Sequence, residues 1–188
     1  EIIVIDGKSN DGTIEIIKKN RKNLSAFKIE KDKGIYSAMN KGVKLAKRKW
    51  IYFLNSGDIF YNKNTIEKIT KILKKNSNID VLIGNSFIKK DKFLFKSPRK
   101  QFSKDSLHSC FSHQSTFVKL NSLKKNPFNP NYKYASDFEF FLKLFKSNKK
   151  FYYINNSISI NKIGGVSDVN RIEVLNEFKK IVLRYNYN

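Results

Sequence analysis

The chain is short of three things, and each shortage narrows what it can be. It has a single cysteine, Cys110. One thiol cannot close an internal disulfide, and a lone cysteine suits a reducing cytosol. Its neighbours, Ser109 and Phe111, supply no pattern for a nucleophile, so Cys110 reads as a small buried side chain. Arginine is scarce: only Arg21, Arg48, Arg99, Arg171 and Arg184 stand among 38 basic residues. Proteins that read phosphates and bases lean on arginine forks. A basic nucleic-acid-binding module is therefore the weaker account of the net charge of +22. Long apolar runs are missing too. Ile2 to Ile5 and Ile51 to Leu54 are strand-sized, far below the ~20 residues of a membrane-spanning helix. No G-x-G-x-x-G follows a strand, which argues against a dinucleotide-dependent enzyme.

What is abundant is lysine, asparagine and isoleucine, a bias of the kind an AT-rich genome produces. That bias accounts for much of the charge, and attraction to an anionic membrane surface is the alternative. At 40% hydrophobic over 188 residues, the chain can bury a sizeable core and should be globular. Repeats, linkers and low-complexity blocks are absent, so a single domain over 1–188 is expected.

The first half alternates strand and helix signals. Glu1 to Ile5 is an apolar run ending at Asp6-Gly7. Asp11-Gly12-Thr13 opens a helix to about Asn20, with Ile14, Ile16 and Ile17 toward the sheet and Thr13 or Asp11 as N-cap. Ala26 to Glu30 is a short strand. Gly34 to Lys47 is a second helix, with Ile35, Ala38, Met39, Val43 and Ala46 on one face. Trp50 to Leu54 is an apolar strand before the turn Asn55-Ser56-Gly57-Asp58. Asn64 to Lys75 is a helix and Val81 to Ile83 a strand. Such alternation implies a parallel sheet covered on both faces, with ligands beyond the carboxyl ends of its strands. Asp6 and Asp58 both fall just past such an end. In the second half, Asp91 to Pro98 reads as a hairpin arm and loop, and Ser115 to Val118 as a strand. Ala135 to Phe145 is a helix with Phe138, Phe141 and Phe145 in the core. Arg171 to Arg184 is a terminal amphipathic helix.

Six segments carry a resemblance. Val4-Ile5-Asp6-Gly7-Lys8-Ser9-Asn10-Asp11-Gly12-Thr13 resembles the V-D-x-x-S-x-D-G-T signature of family 2 glycosyltransferases, which have the GT-A fold. The stretch from Glu30 to Gly42, containing Gly34-Ile35-Tyr36-Ser37-Ala38-Met39-Asn40-Lys41-Gly42, resembles a segment of the branch that builds bacterial surface polysaccharides. So does Tyr52-Phe53-Leu54-Asn55-Ser56-Gly57-Asp58. Ser112-His113-Gln114-Ser115-Thr116-Phe117, Ser136-Asp137-Phe138-Glu139-Phe140 and Gly164-Gly165-Val166-Ser167 follow in that branch's order. Each motif alone is weak, but six in order with fitting context are strong together.

The resemblance implies an α/β, mostly parallel sheet flanked by helices, with a nucleotide-binding half over about 1–90 and an acceptor half over about 91–188. It implies an inverting transfer of a sugar from a nucleotide-diphosphate donor, a UDP-sugar first, to a glycan or lipid-linked acceptor. The leaving diphosphate builds negative charge, which Mg²⁺ or Mn²⁺ would neutralise. Asp58 is the implied metal ligand, the one carboxylate of Asn55-Ser56-Gly57-Asp58. Asp137 is the implied general base; Glu139, two residues on, would face elsewhere on the helix. Asp6, Asp32, Lys33, Asn40, Ser56, Gly57, His113 and Gln114 are the implied donor-binding residues. Ser167 would sit on a segment able to close over the donor, with Lys162 or Arg171 near phosphate. The implied location is the cytoplasm, peripherally at the inner face of the plasma membrane, with no nucleic-acid partner. The family also opens with a strand and helix before the equivalent of Glu1. Roughly 30–40 residues, one βα unit, are therefore expected upstream, and without them the chain is expected to be poorly stable and inactive.

Overall fold

The computed structural model describes residues 1–97, 99–103, 106 and 108–186, with side chains left aside at 166, 167 and 186. The chain runs β1 (Ile3–Asp6), α1 (Thr13–Lys19), β2 (Ala26–Ile29), α2 (Ile35–Leu45), β3 (Trp50–Ile51), β4 (Ile59–Phe60), α3 (Thr65–Lys75) and β5 (Val81–Lys90). It continues through β6 (Phe93–Lys96), β7 (Thr116–Lys119), α4 (Leu120–Lys125), α5 (Ser136–Lys146), β8 (Phe151–Lys162), α6 (Val166–Val169) and α7 (Arg171–Asn186). No helix among the described residues is long and apolar enough to cross a membrane. Pro98, at the end of the expected loop, and the Ser167 side chain lie outside the described residues.

The α/β class stands, but the sheet is mixed. β1 and β2 pair in parallel as a two-stranded sheet. The larger sheet runs β3-β7-β5-β8-β4, with β6 also on β5. Only β5 and β8 pair in parallel there; β3–β7, β5–β7, β4–β8 and β5–β6 are antiparallel. Part of the reason is local. Asp91 takes φ 53° in the turn between β5 and β6, the left-handed conformation that a tight hairpin turn needs.

β5 is central because it can be buried on both faces. Val81 and Ile83 join a core with α2, α4, α5 and α7, while Leu82 joins a second core with Ile69 of α3 and Phe117, Ile154 and Ile158. That is the period-two alternation of a strand. Gly84 lets β5 and β8 approach: a Cβ there would lie 2.5 Å from Ile158 and 2.6 Å from the Asn156 carbonyl. The β5–β8 register shifts on either side of Asn85.

Several elements depart from the periodic reading. In α2 the buried residues are Tyr36, Met39 and Val43, while Ile35 is exposed. Ile35 is the first helical residue and falls one step off the i, i+3, i+7 stripe. In α1 Ile17 is buried but Ile16 is exposed, for the same angular reason. Gly12 is the N-cap of α1, and Asp11 accepts a hydrogen bond from the Thr13 amide at 3.2 Å. Only Trp50 and Ile51 of the Trp50–Leu54 stretch pair in a ladder. The strand expected over Val81 to Ile83 continues to Lys90, and β4, α4 and the long β8 had no periodic signal. In β8, Asn155-Asn156-Ser157 interrupts the apolar pattern where the register shifts.

Candidate active site

Four polar segments meet beside the carboxyl end of β3 and the start of α5. The turn 55–58, with Gly57 at φ 88°, carries Asn55 and Asp58. A single 3-10 turn, His113–Ser115, is capped by Ser112, whose Oγ accepts the Gln114 amide at 3.2 Å. α5 opens with Ser136-Asp137, and β8 ends at Lys162.

Asp137 is the hub. Its Oδ2 accepts from His113 Nδ1 at 2.9 Å. Its Oδ1 accepts from Tyr36 Oη at 2.8 Å and from the Phe138 amide at 2.9 Å. Burial alone would raise this carboxyl. The His113 and Tyr36 hydrogen bonds and the Phe138 amide outweigh it, and the pKa is held below the usual carboxylate value. Tyr36 moves the opposite way: burial, then the Asp137 charge, push its phenol well above the usual value. With Nδ1–H turned to Asp137, His113 Nε2 is left as acceptor for the Asn55 Nδ2 amide at 3.0 Å. The four side chains form one chain of contacts, Asn55–His113–Asp137–Tyr36.

Asp58 has a different character. Its Oδ1 accepts the Lys162 amide at 3.2 Å, while its Oδ2 is buried with no hydrogen-bond partner. Burial pushes its pKa above the usual carboxylate value, against the pull of the Lys162 amide and then of the nearby Gln114 side chain. The Asn161 Oδ1 beside Lys162 is likewise buried and unpartnered, while its Nδ2 donates to Ser112 Oγ at 3.3 Å. A free, buried carboxylate oxygen is the donor type that Mg²⁺ and Mn²⁺ prefer. Among the described residues no group of three or more His, Cys, Asp and Glu side chains gathers to hold a metal. The chain thus fits a cation that takes most of its ligands from diphosphate oxygens and water.

The other sequence candidates fall in two groups. Gln114 belongs to the cluster through backbone and side chain: its carbonyl accepts Tyr52 Oη at 2.5 Å, its Oε1 accepts Ser112 Oγ, and its side chain lies beside Asp58. Ser56 and Gly57 are exposed on the turn before Asp58. Asp6 is the last residue of β1 rather than just past its end, and Asp32 lies on the loop after β2; their hydrogen-bond partners are not those of the cluster. Asp6 is buried and accepts both the amide and the hydroxyl of Ser9, at 2.9 and 2.7 Å; the two Ser9 bonds hold its pKa down. Asp32 pairs with Lys41, which also reaches Glu30 at 2.8 Å. The loops after β1 and β2 touch, since a Cβ on Gly7 would lie 3.4 Å from Asp32 Oδ2. Lys33 is exposed on the same loop. Asn40 plays a structural part, since its amide brackets Phe128, donating to the carbonyl at 2.7 Å and accepting the amide at 3.0 Å. Arg171 opens α7 and is exposed.

Glu139 indeed faces away from Asp137. It is 1% exposed, with Tyr185 Oη at 3.0 Å and Lys143 Nζ at 3.1 Å. Tyr36 and Glu177 were missed by sequence reasoning. Tyr36 sits inside one of the six motifs, and its place at i−3 from Met39 was the available signal. Glu177 of α7 accepts the amides of Lys133, Tyr134 and Ala135 at 2.7, 2.8 and 2.8 Å. It thereby clamps the loop that enters α5, and the Tyr134 carbonyl on that loop lies 2.9 Å from Tyr36 Oη, sharing its one proton with Asp137. Nothing in the local sequence around Glu177 pointed to this role.

Comparison with known proteins agrees with the architecture. An uncharacterized glycosyltransferase of Methanocaldococcus jannaschii is 30% identical, over 99% of this chain and 66% of its own length. A PGL/p-HBAD biosynthesis glycosyltransferase of Mycobacterium bovis is 27% identical, over 78% of this chain; the match spans 59% of that relative. Staphylococcus aureus TarS 1-349, solved with UDP-GlcNAc, superposes with a TM-score of 0.69 at 17% identity, over 98% of this chain and 64% of that one. The mannosyltransferase PcManGT of Pyrobaculum calidifontis, solved with GDP-Man and Mn²⁺, gives 0.69 at 14% identity, over 98% and 55%. The fold is accordingly that of GT-A glycosyltransferases. A family model described as Glycosyl transferase family 2 matches residues 1–158, and the chain belongs to that family.

Proposed function

We propose that the protein transfers a sugar, with inversion, from a nucleotide-diphosphate donor to a hydroxyl of a glycan or lipid-linked acceptor. The observation that carries this reading is the pairing of two unlike carboxylates in one polar cluster. Asp58 presents a buried, unpartnered oxygen, and Asp137 is held ionised by three donors. The first suits a leaving diphosphate and its counter-ion, the second the proton released by the attacking hydroxyl. When bound, Mg²⁺ or Mn²⁺ supplies charge neutralisation at the leaving diphosphate, and Asp58 Oδ2 would hold it. A UDP-sugar is the first donor to try, since TarS is solved with UDP and with UDP-GlcNAc. GDP-mannose with Mn²⁺, as in PcManGT, is the second. Asp6, Asp32 and Lys33 face the donor from the end of β1 and the loop after β2 in this reading. Ser56, Gly57, His113 and Gln114 flank the diphosphate.

In the transfer, the acceptor oxygen bonds to the anomeric carbon as the bond to the diphosphate oxygen breaks. The electron pair leaves with the nucleoside diphosphate, and the hydroxyl proton passes to Asp137. A second assignment of the base has an observation behind it. Both Asp137 oxygens already accept hydrogen bonds, three in all, whereas His113 Nε2 faces outward from the carboxylate and meets the Asn55 amide. His113 would then take the proton, with Asp137 fixing its tautomer. Transfer assays with Mg²⁺ or Mn²⁺ on Asp58→Ala, Asp137→Ala and His113→Gln test all of this. Full activity in both aspartate variants sinks the reading. A loss in His113→Gln as deep as in Asp137→Ala moves the base to His113.

A further inference from the structure

The β5–β6 hairpin carries three consecutive exposed apolar residues. Phe93, Leu94 and Phe95 are 68%, 48% and 54% exposed, and they occupy both faces of the ribbon. Phe93 and Phe95 lie on one face with rings 6.4 Å apart, and Leu94 points to the other. Lysines surround them: Lys89 and Lys90 on β5, Lys92 in the turn and Lys96 at the end of β6, all exposed. Asp91 is the one acidic residue of the tip. Three consecutive exposed apolar residues on an edge strand are a liability for a protein whose hairpin stays in water.

We infer that this hairpin is a docking element for an anionic lipid bilayer, seated at headgroup depth. Apolar side chains on both faces fit a medium that surrounds the tip better than a partner groove that covers one side. Phenylalanine at the interface with lysines reaching back to phosphate is a favourable arrangement there. A shallow seat also leaves the free edge of β6 hydrated, which a deeper one would not. The net charge of +22 favours an anionic surface and opposes a second copy of the same chain.

Docking here would bring the membrane close to the candidate site. Lys162, whose amide is on Asp58, pairs with Lys89, and Lys89 pairs with Leu94. Two strand spacings separate Lys162 from Leu94, about 10 Å. A cleft of about 370 Å³ lies beside these strands, lined by Gly57, Ile59, Lys89, Asp91 and Lys162 among others. Ile163, next along the chain, is 44% exposed and extends the apolar surface. A lipid-borne acceptor would thus be presented beside Asp58, although the docking itself assumes nothing about the reaction.

Vesicle flotation tests the inference, with phosphatidylcholine alone and phosphatidylcholine mixed with phosphatidylglycerol. The protein is expected to float with the anionic vesicles only, and less at high salt. Phe93→Ser/Phe95→Ser should weaken partitioning about tenfold. Lys89→Gln/Lys90→Gln/Lys92→Gln should weaken it about a hundredfold at low salt. All these positions are exposed, and circular dichroism checks that each variant folds. Independently, Phe93→Trp should blue-shift its emission on adding anionic vesicles. Wild-type protein that does not float overturns the inference, as does a double-serine variant that folds and floats as well as wild type. It is also overturned if the serine variant only abolishes self-association, or only abolishes binding to an acidic protein.

Discussion

The loops after β1 and β2 and the cluster around Asp137 both hold carboxylates, but they hold them by different means. In the loops the partners are near in sequence. Asp6 is met by Ser9, Asp11 by Thr13, and Asp32 by Lys41, at separations of 3, 2 and 9 residues. In the cluster the partners are distant. Asp137 is met by His113 and Tyr36 at separations of 24 and 101, Asp58 by Lys162 at 104, and Glu177 by Lys133 at 44. A locally satisfied loop keeps its shape as long as its own turn persists. The cluster exists only while α2, α5, α7 and β8 are all docked. Its carboxylates should therefore respond to remote substitutions, and those of the loops should not.

Substitutions at four positions sharpen or break that contrast, taken from the largest expected effect down. Asp137→Asn should lower kcat by about 10²–10⁴-fold while donor affinity, read by titration, changes little. Glu177→Ala leaves three amides without their acceptor. It should cost about 2 kcal/mol in denaturant melts and reduce kcat about tenfold with KM nearly constant, because the entry to α5 loosens. Loss of stability with kcat intact would make Glu177 merely structural. Glu177→Gln, which keeps one acceptor oxygen, should recover part of both.

Asp58→Asn should split function from stability. Its carboxyl is raised in the folded state, so the fold binds the proton better than the unfolded chain does. That contribution is present at low pH and is lost as pH rises through the unfolded and then the folded pKa. At neutral pH the charge is a burden, and its removal should raise Tm by about 2–4 °C while activity falls. A lower Tm would mean that Asp58 Oδ2 already has a partner.

Asp6→Ala should have the smallest effect, about 1 kcal/mol, the size of a lost capping bond. It should be confined to faster amide exchange over residues 7–12. Asp6 and Asp137 are both held below the usual carboxylate value. They add stability above the unfolded pKa, and that stability disappears as pH falls through their folded values. Tm should therefore drop in acid below about pH 4. Asp58→Asn should leave that acid limb in place, and Asp137→Asn should flatten it.

The amino-acid sequence alone determined the strand–turn–helix order of the first half apart from the two-residue β4, because apolar runs, turn residues and helical spacing are local signals. Asp58 could be placed beyond a strand end for the same reason, and Asp6 to within one residue of one. The motif order pointed to the family that the comparisons then showed. Tertiary structure decided what each carboxylate touches. Which of Ile35 and Tyr36 goes inward depends on where α2 starts, and β8 was hidden because Asn155-Asn156-Ser157 breaks its pattern at a register shift. The clamp of Glu177 on three amides more than forty residues away has no local signature. Hydrogen bonds across such separations form only after the core has brought the elements together, so no window of sequence contains them.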